Sequence, residues 1–224
     1  MKRLVVFDLD DTLYLERDFV RGGFRAVGEY LRRRRGVRGF FRAAWRRFTA
    51  GERALIFDRV LAEKGVEPAP GLVRKLLSIY RAHRPSLRLC ADARRFFERP
   101  PEGVELAVIT DGRLPVQRAK VRALGVDKLV EEIVCTGRWG PRYAKPHPRA
   151  FRLLERRFRR TGSDCVYIGD NPAKDFPAPR ERGWASVRLR RPAGLYAGAA
   201  APGILELRSC DELRKWLARP GSAD

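Results

Sequence analysis

The N-terminal stretch Leu4-Val5-Val6-Phe7-Asp8-Leu9-Asp10-Asp11-Thr12-Leu13-Tyr14 sets four apolar residues directly ahead of three carboxylates and a threonine. A short continuous apolar run reads as a strand buried on both faces, the kind found in parallel sheets. In open α/β sheets ligands bind just beyond the carboxyl ends of the strands. A strand running into Asp8-Leu9-Asp10 therefore sets two acids at that edge. Carboxylates this close repel and are costly to desolvate, so they call for a cation, a proton or a basic neighbour. Asp and Thr also suit a helix N-cap, and the segment by itself leaves both readings open.

Three later segments carry matching chemistry. Val108-Ile109-Thr110-Asp111-Gly112 ends an apolar run in a hydroxyl and a glycine turn, whose N–H groups can hold anionic oxygens. Thr-Asp-Gly is equally an ordinary turn. Arg113 follows directly and has the donor geometry for anion recognition. Lys145-Pro146-His147-Pro148 places a lysine just ahead of a helix that Pro148 is suited to open, although most lysines simply face solvent. Ile168-Gly169-Asp170-Asn171 is followed by Asp175, so one acid at a strand end and one about a turn into a helix can face the same ion. Helix capping is the alternative use of both. Asp8, Asp10, Asp170 and Asp175 together offer hard oxygen donors without a His/Cys cluster, which points to Mg²⁺ rather than zinc.

The elements that must position these residues follow from periodicity. After the first strand, apolar Phe19, Val20, Phe24, Val27, Tyr30 and Leu31 recur at three- and four-residue spacings, predicting a helix from Tyr14 toward Phe41 with Gly36 as a stop. Further helices are predicted over residues 40–48, 53–63, 72–83 and 92–98, punctuated by Pro68, Pro70, Gly71 and Pro85. From residue 105 the rhythm changes. Strands at 105–109, 130–135, 165–168 and 185–189 alternate with helices at 115–124, 148–158, 172–182 and 212–217. Such alternation means right-handed βαβ units and a doubly wound, mostly parallel α/β sheet. Ala197–Gly203 reads as a flexible loop.

At 224 residues, with 44% hydrophobic content, the chain can bury a full core. No run approaches the roughly 20 apolar residues of a membrane-spanning helix. Lys2-Arg3 is followed by only four apolar residues before Asp8, too few for a secretory signal, so a cytoplasmic protein is expected. Cys90, Cys135, Cys165 and Cys210 are far apart and form no zinc or redox motif. The net charge of +21 favours anionic partners. The arginines are spread over the whole chain without a nucleic-acid module, so nucleic acid is not expected as the main partner.

The ordered set Asp8-x-Asp10-x-Thr12, Thr110, Lys145 and Gly169-Asp170-(x4)-Asp175 resembles the haloacid dehalogenase (HAD) superfamily over essentially the whole chain. The phrases Asp11-Thr12-Leu13-Tyr14, Thr110-Asp111-Gly112 with Gln117 and Lys120, and Lys145-Pro146 resemble its capped phosphatases. The resemblance implies a Rossmann-like core at residues 1–15 and 100–224, and an all-helical C1-type cap at residues 16–99. It implies phosphate-monoester hydrolysis through an aspartyl-phosphate, with Asp8 as nucleophile and Asp10 as acid, then base. Thr110, Asp111, Gly112, Arg113 and Lys145 would hold phosphate and substrate. Mg²⁺ would rest on Asp8, the Asp10 carbonyl and Asp170, with Asp175 behind them. The expected partner is a small phosphorylated metabolite, a sugar phosphate or a nucleotide monophosphate, met by a monomer or homodimer. Arg17, Asp18 and Arg21 are the cap residues placed near the opening. Phosphomutases of the superfamily share these residues and stay an alternative, as does a basic nucleic-acid-binding protein whose HAD core is idle.

Overall fold

The computed structural model describes residues 3–219 and divides into two compact units, Met1–Glu16 with Leu87–Asp224, and Arg17–Ser86. The chain ends at 1–2 and 220–224, included in the expected core range, lie outside the described residues. The first unit holds a six-stranded sheet in the order β3-β2-β1-β4-β5-β6, with every pairing parallel. Its strands are β1 (Arg3–Phe7), β2 (Val104–Thr110), β3 (Glu132–Cys135), β4 (Cys165–Gly169), β5 (Ala185–Leu189) and β6 (Leu205–Leu207). Between and after them lie α5 (Ala91–Glu98), α6 (Leu114–Leu124), α7 (Arg149–Phe158), α8 (Pro177–Glu181) and α9 (Cys210–Leu217).

β1 lies centrally because Leu4, Val5, Val6 and Phe7 are all fully buried. Burying side chains of this size contributes about 1.5–3 kcal/mol each. Leu4 and Val6 join Ala107, Ile109, Phe151, Leu154 and Tyr167 in one core. Phe7 meets Phe96 and Phe97 of α5, with ring centroids 5.5 and 5.0 Å away. α5 thus packs within the sheet unit, and Arg95 pairs with Asp211 of α9 at 2.5 Å. The expected boundary at residue 99 is therefore corrected: the helical unit ends at Ser86. Helical periodicity alone does not reveal which core an amphipathic helix covers.

Register aligns the strand ends. Phe7 is level with Val108 of β2 and with Ile168 of β4. Asp8, the Ile109–Thr110 end of β2 and the Gly169–Asp170 end of β4 consequently emerge at one edge of the sheet. The predicted helix over 172–182 is shorter than expected, since only Pro177–Glu181 is helical. The residues before it form a turn in which the Asp175 N–H donates to the Asn171 carbonyl, at 3.0 Å.

The second unit is all helical, with α1 (Glu16–Arg35, whose first residue belongs to the sheet unit), α2 (Phe40–Thr49), α3 (Ile56–Glu63) and α4 (Pro70–Ala82). An aromatic core of Phe24, Phe40, Phe48, Phe57 and Tyr80 holds it, with ring centroids from 5.7 to 6.2 Å apart. Gly23 lets α1 approach α4, because a Cβ there would lie 2.4 Å from the Tyr80 ring. All four cysteines are free, and Cys135 and Cys165 are buried as small apolar groups.

Candidate active site

Asp8 follows β1 directly, and its N–H donates to the Ile168 carbonyl at 2.8 Å, fixing the strand end against β4. Its carboxylate is 2% exposed. Lys145 Nζ lies 2.5 Å from Asp8 Oδ1 and 2.8 Å from Asp175 Oδ1, and donates to Tyr167 Oη at 2.9 Å. One ammonium therefore serves two carboxylates. Asp8, Asp170 and Asp175 place one oxygen each within 4.8 Å of the others.

Asp175 organises the loop as well. Its Oδ2 accepts the N–H groups of Asp170 at 3.1 Å and Asn171 at 2.8 Å. That geometry requires glycine at 169, where a Cβ would lie 2.5 Å from Asp175 Oδ2. The opposite wall is tied together by Asp111. Its Oδ1 accepts Thr136 Oγ1–H at 2.7 Å and the Lys145 N–H at 3.1 Å. Gly137 makes this possible, since a Cβ there would stand 2.0 Å from the Gly112 carbonyl oxygen.

Three buried acids against one buried ammonium leave an excess of negative charge. Burial pushes the Asp8 carboxyl up to about 6, with Lys145 pulling it down and Asp175 reinforcing the rise. Burial and then the charges of Asp8 and Asp175 push Asp170 up to about 9. Burial disfavours the Lys145 ammonium, but Asp175 and Asp8 hold its pKa well above the usual lysine value. Asp8 Oδ2 is buried and has no hydrogen-bond partner among the described residues. A hard divalent cation fits this donor set. Carboxylate oxygens prefer such ions, and a cation would supply the missing positive charge and a partner for the orphan oxygen.

Asp10 lies in a different environment. Lys120 Nζ is 2.6 Å from its Oδ1, Gln117 Nε2 donates to its Oδ2 at 2.9 Å, and Tyr14 Oη donates to Oδ1. Burial opposes ionisation here, yet the Lys120 charge and the hydrogen bonds from Lys120, Tyr14 and Gln117 outweigh it and hold the carboxyl below its ordinary value. The Asp10 side chain thus stands apart from the three-acid cluster. Tyr14, expected as the start of α1, instead sits in the turn between β1 and that helix. Asp11 shapes the turn at φ 52°, its carboxylate accepting the N–H groups of Glu16 and Leu195, each at 2.8 Å.

Thr110 ends β2 fully buried, with its Oγ1 accepting from Gln117 Nε2 at 2.8 Å. Gly112 has φ +120°, and Arg113 is exposed at the start of α6. Arg17 and Arg21 belong to the helical unit, where both guanidinium groups lie over the Trp45 ring. Sequence reasoning gave no role to Gln117 and Lys120, buried on α6 at 2% and 3% exposure. A signal was present: two polar side chains three apart stand on the stripe that Val121 and Leu124 make apolar. Gln117 and Lys120 were named as part of the resemblance without a role, whereas Arg188 was missed altogether. It is fully buried and donates to the carbonyls of Asp170, Tyr196 and Ala199 at 3.3, 2.6 and 2.7 Å, and to Glu206 at 2.7 Å.

A parallel sheet with acids at its carboxyl edge and a lysine among them defines a hydrolase of the HAD type. Residues 2–183 match the model of the haloacid dehalogenase-like hydrolases, and the chain belongs to that family. A phosphoserine phosphatase of Thermus thermophilus is 29% identical over 229 residues, covering 84% of this chain and 89% of the relative. A glyceraldehyde 3-phosphate phosphatase of Methanocaldococcus jannaschii is 26% identical over 202 residues, with 83% of each chain covered. Among solved structures, the magnesium-bound HAD-hydrolase YfnB from Bacillus subtilis superposes with a TM-score of 0.71 at 19% identity, covering 97% of this chain and 99% of that one.

Proposed function

We propose that the protein is a Mg²⁺-dependent phosphate-monoester hydrolase acting on a small phosphorylated metabolite, a sugar phosphate or nucleotide monophosphate, through an aspartyl-phosphate on Asp8. The observation that carries this reading is the state of Asp8: buried, with one oxygen on Lys145 and the other without a partner among the described residues. The phosphatase relatives and a magnesium-bound structural neighbour point the same way.

An Asp8 oxygen attacks phosphorus while the bond from phosphorus to the ester oxygen breaks, splitting one hard hydrolysis into two easier steps. Asp10, whose proton affinity an anionic phosphate beside it would raise, protonates the departing oxygen, then takes a proton from the water that cleaves the acyl phosphate. Lys120, Tyr14 and Gln117 hold Asp10 in position. Thr110, the Asp111 N–H with Gly112, and Lys145 stabilise the oxygens of the transferring group. Arg113 contacts the remainder of the substrate. Asp8, the Asp10 carbonyl and Asp170, with Asp175 in support, would hold Mg²⁺, which would supply positive charge offsetting the repulsion between a carboxylate and an anionic phosphate.

We read residues 17–86 as the family's helical cap, with Arg17, Asp18 and Arg21 contributing to substrate choice. The protein acts in the cytoplasm as a monomer or homodimer in this reading. No helix among the described residues is long and apolar enough to cross a membrane. Asp10→Asn slows the second step and traps the intermediate. Intact mass spectrometry after quenching in acid then shows one added phosphoryl group, which Asp8→Asn abolishes. A phosphoryl group that persists in the Asp8 variant would contradict the assignment.

A further inference from the structure

On the helical unit, α1 and α2 carry a row of arginines, most of which no carboxylate answers among the described residues. Arg17, Arg21 and Arg25 recur every four residues and so share one face of α1. Their guanidinium groups lie over aromatic rings of α2: Arg17 and Arg21 at 5.5 and 5.7 Å from the Trp45 centroid, Arg25 at 5.3 Å from that of Phe41. Phe41 and Trp45 are themselves stacked at 6.3 Å and are half-buried. Beyond them, the end of α1 and the start of α2 border a groove of about 730 Å³, whose lining includes Arg25, Arg32, Arg38, Arg42 and Phe41 and one carboxylate, Glu29.

Among the described residues, Arg17, Arg21, Arg25, Arg38 and Arg42 form no ion pair, while Arg32 shares Glu29 with Arg33. Elsewhere in the unit Arg46, Arg47 and Arg59 are bound to Glu52 or Glu63. Arg34, Arg35, Arg53, Arg74, Arg81 and Arg84 of this unit likewise form no ion pair among the described residues, so what sets the α1–α2 face apart is that its arginines line up in one row over aromatic rings beside a groove. Stacking on a ring orders a guanidinium in advance, so less entropy is lost when it meets an anion. Like charges converging on one groove repel, and a ligand carrying many negative charges relieves that repulsion.

The row is too long for a single phosphate ester. Arg17 to Arg32 spans about 22 Å along a helix rising 1.5 Å per residue. A long cationic track interleaved with half-exposed aromatic rings is the surface that single-stranded nucleic acid recognises without regard to sequence. We propose that the α1–α2 face of the helical unit binds single-stranded nucleic acid through its phosphates, a binding role that does not depend on the proposed hydrolysis. The spread of arginine along the sequence conceals this face, because chain order does not show which of them the fold lines up.

The test is fluorescence anisotropy of a labelled oligothymidylate against the full chain, with a salt titration. Wild type is compared with Arg25→Ala/Arg38→Ala/Arg42→Ala and with Arg138→Ala/Arg142→Ala/Arg149→Ala, which removes the same charge from the sheet unit. Arg138, Arg142 and Arg149 likewise form no ion pair among the described residues and lie over Trp139 or Tyr143, so they control for stacked, unpaired arginine elsewhere. The groove variant should bind about tenfold more weakly near 0.1 M salt, and its slope of log K against log salt should fall by about 2, at ~0.7 per lost phosphate contact. The matched variant should stay within about twofold of wild type. Equal losses in both variants would overturn the proposal in favour of the general +21 field. So would duplex binding as tight as single-strand binding, or displacement by inorganic triphosphate as effective as by unlabelled oligonucleotide at equal phosphate. If the triple variant melts early, Arg38→Ala/Arg42→Ala alters only exposed side chains, and its failure to weaken binding would also refute the site.

Discussion

Lys145→Met tests the charge balance on which the candidate site depends. The ammonium is the buried cation among three buried acids, 2.5 Å from Asp8 Oδ1 and 2.8 Å from Asp175 Oδ1, with no side-chain exposure. Methionine fills similar volume without the charge, so packing loss is small. Removing one partner of a buried pair leaves the other charge uncompensated, at a cost of about 3–5 kcal/mol. Urea denaturation in EDTA at pH 8 should show a loss of that size. Two conditions should shrink it. At pH 5 the acids take up protons more readily, because Asp8 and Asp170 already titrate near 6 and 9 with the lysine present. Saturating Mg²⁺ at a hundredfold above its dissociation constant would return about 2.7 kcal/mol by binding the folded state alone. A loss below about 1 kcal/mol in EDTA, or one that ignores both pH and Mg²⁺, would refute the reasoning.

Gly137→Ala forces a Cβ to within 2.0 Å of the Gly112 carbonyl oxygen, so backbone must move. We expect a loss of about 1–3 kcal/mol and reduced turnover as the Thr136–Asp111–Lys145 tie loosens, with an unchanged melting temperature counting against it. The raised acids also give stability a sign with pH. Asp8 and Asp170, near 6 and 9 folded against an ordinary 3.8, hold more protons folded than unfolded, so their contribution falls as pH rises from about 4 to about 9. Measured in EDTA, the stability of wild type relative to Asp170→Asn should decline from pH 5 to pH 9, and Mg²⁺ should flatten that decline. A relative stability that climbs with pH would contradict the assignment. Arg188→Leu removes the anchor of the 196–199 carbonyls and should cost about 2–4 kcal/mol, less than a fully buried pair because Glu206 stays one-third exposed. Hydrogen exchange should speed up over residues 194–207 in that variant, and unchanged protection there would remove the anchoring role.

Much of the fold was legible because its strands are short apolar runs ending in polar turns. β1 through β5 fall where the pattern places them, and the parallel order follows from the helices between them. β6 was not legible: Leu205–Leu207 is three residues long and carries too little pattern to register. Ala197–Gly203 read as a flexible loop from composition, yet Arg188 binds the carbonyls of Tyr196 and Ala199 from eight and eleven residues away. Glycine and alanine content speaks to freedom in the unfolded chain, whereas anchoring comes from a partner elsewhere in the fold. At the site, the sequence indicated that Asp8, Lys145, Asp170 and Asp175 share a sheet edge, because each closes or follows a strand. The surroundings of Asp10 were hidden, since Lys120 reaches it across 110 positions and only tertiary packing brings them together.

Turnover of p-nitrophenyl phosphate with and without Mg²⁺, in wild type and Asp8→Asn, tests the central claim most directly. Metal-dependent hydrolysis in wild type, abolished by Asp8→Asn while the variant remains folded, is the predicted result. Hydrolysis that persists undiminished in the Asp8 variant, or proceeds equally in EDTA, would contradict it.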